Sequence, residues 1–173
     1  TTFDTAFHCM YLNSRSESDI NSEPIEKDFA EWMQFGKKEL VVTETAFVSF
    51  GEKATEYSYA MMAKITALVM AHDLDVMIGD TTSTDHYASI GGFENLETIL
   101  PPDVLALVQD RLYYAKDENG KEYACAIDLS GTEFAEVSNL SQDTPLLGLV
   151  AGSQRTDHSI ALIRYIFDPS VTK

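Results

Sequence analysis

Between Ala54 and His72 the apolar side chains recur every three or four residues. Ala54, Tyr57, Met61, Ile65, Leu68 and His72 make one stripe, and Met62 and Val69 widen it. A stripe of that length fixes a long helix, around which the rest of the chain must be arranged. Its start has a signature of its own: Ser49-Phe50-Gly51-Glu52 fits the S-x-x-E capping box, where each side chain satisfies a free backbone donor. The spacing predicts the best-buried helix of the protein, running to about residue 72, with Tyr57, Tyr59, Met61 and Met62 packed in the core.

Strand-like segments flank that helix. "ELVVTETAFVSF" (39–50) has β-branched and aromatic content, and "LDVMIGD" alternates Leu74, Val76 and Ile78 against Asp75, Met77 and Gly79. Upstream, "TAFHCMYL" (5–12) reads as a first strand. Ser22 and Pro24 open a short amphipathic helix over 24–35, with Ile25, Phe29, Trp32 and Met33 on one side. "HYASI" (86–90) starts another strand. "ENLETILPPDVLALVQ" is helical but interrupted at Pro101-Pro102, because proline removes a donor and clashes with the preceding turn.

In the last third, Leu112 to Lys116 and Glu122 to Leu129 flank an Asn-Gly turn and predict a hairpin. "TEFAEVS", "LLGLVAG" and "SIALIRYIF" predict three further strands joined by short polar turns, hence an antiparallel meander. The expected fold is α+β: a mainly antiparallel sheet with helices packed on one face and a C-terminal meander. No regular βαβ alternation runs through the chain, which disfavours a doubly wound parallel sheet. At 173 residues the chain fits a single domain, 1–173, divisible at most into closely joined halves 1–92 and 93–173.

Acidic residues outnumber basic ones 28 to 12, for a net charge of −16. Residues 1–86 hold 15 acids and 6 bases, and the remainder 13 and 6, so no acidic tail explains the excess. A surface of that sign repels phosphate backbones, which excludes ordinary nucleic-acid binding. It suits a protein partner with a basic surface, even as a mimic of nucleic-acid charge; solubility and salt adaptation are the competing sources of the same charge. No 18-residue apolar run exists to span a membrane, and no charged lead with an apolar core opens the chain, so a cytoplasmic location is expected. Cys9 and Cys125 lie far apart in apolar stretches without CxxC spacing. They are expected as buried free thiols, with one long-range bridge as the alternative.

The chemically richest stretch is "AHDLDVMIGDTTSTDH" (71–86). Its Asp73-Leu74-Asp75 pair resembles the D-x-D motif of haloacid-dehalogenase-like phosphatases in letters. In that family the aspartates lie just past the carboxyl end of a strand; here they precede one, so the chain is assigned to no family. His72 and Asp73 suit a helix end and the turn after it. Asp80, Asp85 and His86 flank the far end of the strand, and two carboxylates with an imidazole suit a divalent metal such as Mg²⁺, Mn²⁺ or Zn²⁺. Turn chemistry explains the same residues and is the stronger reading.

Thr-Asp-His recurs at 84–86 and 156–158, each time before an apolar run. Convergence of the two would add Asp157 and His158 to the set and give His86 and His158 acid–base roles, though coincidence accounts for a three-residue match. Arg164, amid Ile160, Leu162 and Ile166, is expected to pair with a carboxylate. No GxSxG, P-loop, GxGxxG or HExxH pattern occurs.

The leading expectation is a soluble acidic binding or regulatory protein, in its sharp form an inhibitor engaging a basic surface, with no cofactor. The alternative is a metal-dependent or acid–base enzyme using Asp80, Asp85, His86 and His158 with a divalent metal. Homo-oligomerisation is compatible with either.

Overall fold

A computed structural model describes residues 2–168 and 170. The chain opens with β1 (Asp4–Leu12), then a six-residue π-helical stretch (Pro24–Phe29) running into α1 (Ala30–Met33) and β2 (Glu39–Ala46). Next come α2 (Glu56–Met70), β3 (Val76–Gly79), α3 (Thr81–Ser89), α4 (Leu96–Ile99) and α5 (Pro102–Val108). The hairpin β4 (Leu112–Lys116) and β5 (Glu122–Asp128) follows, then α6 (Glu133–Val137), β6 (Leu146–Leu149) and α7 (Thr156–Phe167).

The six strands form one mixed sheet in the order β2-β1-β3-β6-β5-β4. β1 pairs parallel with both β2 and β3, while β3–β6, β6–β5 and β5–β4 are antiparallel. The molecule is therefore α+β with a mostly antiparallel sheet. Because β3 pairs with β6, residues 1–92 and 93–173 share that sheet.

Side-chain alternation along β1 divides the core in two. Phe7, Cys9 and Tyr11 point to one face, where they pack with Ile25, Phe29, Val104, Phe134 and Leu162. Met10 and Leu12 point to the other, against Ile65, Tyr87 and Ala88. The expectation of helices on one face is corrected: α1 and α4–α7 cover one face, and α2 and α3 the other. Cys9 and Cys125 are free and belong to opposite faces.

Three segments expected as strands are helices. "HYASI" lies mostly in α3, whose N-cap Asp80 accepts from Ser83 N at 2.9 Å and whose buried positions, Ser83, Thr84, Tyr87 and Ala88, keep helical spacing. "TEFAEVS" is α6, capped by Thr132 accepting from Ala135 N. "SIALIRYIF" is the body of α7. Of the expected meander, the hairpin and β6 remain as three neighbouring antiparallel strands. Within this mostly antiparallel sheet the first half is a local doubly wound run, β1-α1-β2-α2-β3 with strand order β2-β1-β3.

α2 also differs in burial. Only Ser58 and Ile65 of its 15 residues are buried, and Tyr57 and Tyr59 are 50% and 60% exposed. The capping box is not formed. Thr55 caps α2, accepting from Ser58 N, and Glu52 sits in a separate 3₁₀ turn, Gly51–Lys53. The helix ends in a Schellman arrangement: His72 N–H reaches Val69 O, Asp73 N–H reaches Leu68 O, and His72 is left-handed at φ 59°. Among the described residues no helix is long and apolar enough to cross a membrane.

Candidate functional site

Strand order places one crevice at a distinctive position. The chain leaves β1 for the α1 face and leaves β3 for the α3 face, so the carboxyl ends of these adjacent parallel strands form a topological switch point, the usual ligand position in such sheets. Asn13 follows β1 and Asp80 follows β3. Asn13 adopts a left-handed φ of 56°, tolerated by asparagine. Its amide donates to both Asp80 oxygens at 3.2 Å and to Val48 O, and its Oδ1 accepts from Val48 N. Gly79 permits the close strand-to-helix turn, since a Cβ there would lie 2.5 Å from Ser83 Oγ.

The loop before β6 closes the crevice. Gln142 Nε2 donates to Leu12 O at 3.0 Å and Ile78 O at 3.3 Å, tying together the carboxyl ends of β1 and β3. Both amide hydrogens are thereby committed, which leaves Oε1 as the free end; it is buried and has no hydrogen-bond partner. A recess of about 310 Å³ results, lined by Asn13, Asp80, Thr81, Gln142, Asp143 and Thr144 among others, with no basic residue. Asp80 already occupies the α3 N-terminus, so the helix dipole is answered from within the protein. Acidic side chains dominate the recess, which the Asp80 and Asp143 carboxylates line without a basic neighbour. It suits a ligand that brings N–H donors and positive charge.

The other sequence-predicted residues lie elsewhere. Asp85 accepts from Tyr113 OH at 2.7 Å; burial first, then Asp85, pushes the Tyr113 phenol pKa upward. His86 stacks on Phe50 with ring centroids 4.1 Å apart, and burial lowers its pKa. His158 sits in the first turn of α7, Nδ1 bonded to Ala6 O at 2.7 Å and its ring against Phe35. Asp157 lies 4.0 Å from it. α3 and α7 cover opposite faces of the sheet, so His86 and His158 do not converge. Among the described residues no group of three or more His, Cys, Asp or Glu side chains is placed to hold a metal. Of the four candidates, Asp80 alone lines the recess.

A second polar cluster escaped the sequence reading. Asp75 is fully buried and accepts from His8 N at 2.8 Å, Ser153 Oγ at 2.6 Å and Arg155 Nε at 2.8 Å. Arg155 also donates to the Asp73 carboxylate and backbone and to Thr5 O. On the α2 side, His8 Nε2 meets Glu44 Oε2 at 2.5 Å, and Lys64 pairs with the same carboxylate. Burial tends to raise the Glu44 pKa, but its bonds to Lys64 and His8 prevail and lower it. Each Asp75 oxygen has a donor, so this cluster is a clamp joining β1, β3 and the start of α7. Its sequence signal was Asp75 itself, an acid between Leu74 and Val76.

Compared with protein-family models, curated proteins and solved structures, the chain matches none, and its chemistry is read from this geometry.

Proposed function

We propose that the protein works by binding a partner with a basic surface, and that the recess between the carboxyl ends of β1 and β3 receives a lysine or arginine side chain of that partner. The observation that carries this reading is the acidic recess at the switch point of a −16 protein, lined by Asp80 and Asp143 with no basic residue. A cationic side chain offers N–H donors and the opposite charge to these carboxylates, and charge-assisted bonds of this kind are the stronger ones. Occupying a basic surface in this way is how an inhibitor or regulator acts, and it calls for no cofactor. The metal-dependent or acid–base alternative needs Asp80, Asp85, His86 and His158 in one place; Asp85 instead bonds Tyr113, and His86 stacks on Phe50.

A pentaarginine peptide titrated into ¹⁵N-labelled protein tests the reading. Saturable shifts are expected at the Gln142 side-chain amide and at Thr81. They should weaken steeply between about 20 mM and 150 mM NaCl, as the Debye length shrinks. Asp143→Asn, a change at an exposed residue, should weaken binding several-fold. Shifts confined to other acidic surfaces, or binding indifferent to salt, would sink the proposal.

A further inference from the structure

The net charge of the protein lies entirely outside one segment. Residues 37–71, which carry β2 and α2, hold four acids (Glu39, Glu44, Glu52, Glu56) and four bases (Lys37, Lys38, Lys53, Lys64). The remaining residues hold 24 acids and 8 bases. The neutral segment is also where apolar surface is left open. Of the nine exposed large apolar side chains among the described residues, five are Leu40, Phe47, Tyr57, Tyr59 and Met70. A sixth, Phe3, precedes Asp4, whose N–H bonds Lys38 O at the start of β2. A concentration of that kind marks an interaction surface, whereas scattered apolar residues do not.

The two sheet edges differ in the same sense. β4 has five residues, a register break between Tyr113 and Tyr114, and Lys116 at its end, the usual devices that blunt an edge. β2 has eight residues, Glu39 to Ala46, with neither proline nor lysine inside, and pairs on one side only. The irregularity in its pairing falls between Thr5 and Phe7, on the β1 strand. An edge of this length with β-branched residues is a template for another strand.

We propose that a second copy of this chain docks on the neutral segment, the two β2 strands pairing antiparallel about a two-fold axis with the α2 helices alongside. Charge selects the occupant. Two −16 molecules repel through the surfaces that carry most of that charge. Within the β2–α2 segment four acids are balanced by four bases, Glu44 already by Lys64, and the acids brought against the edge from outside are Glu17 and Glu26. A basic partner is drawn instead to the remaining surface. The docking residues and the Asp80–Asp143 recess have none in common, so this inference stands apart from the basic-partner reading.

Sedimentation equilibrium with the wild-type chain and three variants decides it. The wild type is expected to be dimeric at about 10 µM and not to loosen as salt rises, the opposite of the basic-partner interaction. Leu40→Lys and Tyr59→Glu should each raise the dimer Kd by roughly tenfold or more, while Tyr114→Lys on the other edge should leave it unchanged. Tyr59 is 60% exposed, so Y59E keeps the test informative if L40K fails to fold. A wild type monomeric at about 100 µM, or a dimer that survives Y59E and breaks in Y114K, overturns the proposal.

Discussion

Asp75 shows what a single carboxylate costs and contributes inside this fold. It is 0% exposed, and three donors converge on it from β1, the loop after β6 and the start of α7. Replacing it with alanine strands Arg155 Nε, Ser153 Oγ and the His8 amide without an acceptor. Breaking a buried ion pair by removing one partner costs about 3–5 kcal/mol. Asp75→Ala should lower the urea midpoint by an amount worth that much at unchanged m, whereas Asp143→Asn, the same charge change at an exposed loop, should stay within about 0.5 kcal/mol. A loss below about 1 kcal/mol for Asp75→Ala would show that the clamp does not hold the fold. Little of this was legible in the sequence. Asp73 reads as a turn residue because Asp suits the turn that follows a helix, but its Arg155 partner stands 82 positions away, and pattern reading does not reach that far. Asp80 was legible at its position, the end of an alternating strand, while its bond from Asn13 and the place of Gln142 in the same recess were not.

The elements were legible where period and end signals agreed. β1, β2, the hairpin and the Pro101-Pro102 break all lie where composition puts them. Two of the misread strands share one physical cause. α6 and α7 are short or heavily buried helices rich in apolar residues, and a buried helix of that length cannot be told from a buried strand by periodicity. "SIALIRYIF" is apolar on too many sides to show a stripe. Its Arg164 does pair with a carboxylate, Asp103 at 2.6 Å, but from a helix. α2 differs in degree: its stripe is real and faces the core, with Met61, Met62, Leu68 and Val69 packed beside the buried Ile65, yet these four stay only partly buried and Tyr57 is exposed. The cap is a sharp test of the true start. Thr55→Ala removes the acceptor for Ser58 N and should cost about 1 kcal/mol, while Ser49→Ala and Glu52→Ala should each change stability by less than about 0.5 kcal/mol in thermal unfolding. Equal losses at all three positions would restore the capping box.

At the scale of the whole molecule, the parallel and antiparallel halves of the sheet meet at β3, and the switch-point crevice lies beside that junction, between β1 and β3. The doubly wound first half was hidden because β3 is only four residues long and α1 only four, too short to read as regular βαβ alternation. The dispersed acidity, by contrast, was plain from composition, and its mechanical consequence can be measured. With the net charge carried outside residues 37–71, the rest of the surface repels itself, which destabilises the compact state. Raising NaCl from about 10 mM to about 150 mM shortens the Debye length from about 30 Å to about 8 Å and screens that repulsion. Tm at fixed protein concentration should rise over this interval and then level off. MgCl₂ at matched ionic strength should add nothing specific, since no three-ligand cluster stands among the described residues. A flat Tm would mean that the acids are already locally balanced. A saturable extra rise with Mg²⁺ that is abolished by Asp143→Asn would instead identify the recess between β1 and β3 as a cation site, and would return Asp80 to the role of a ligand.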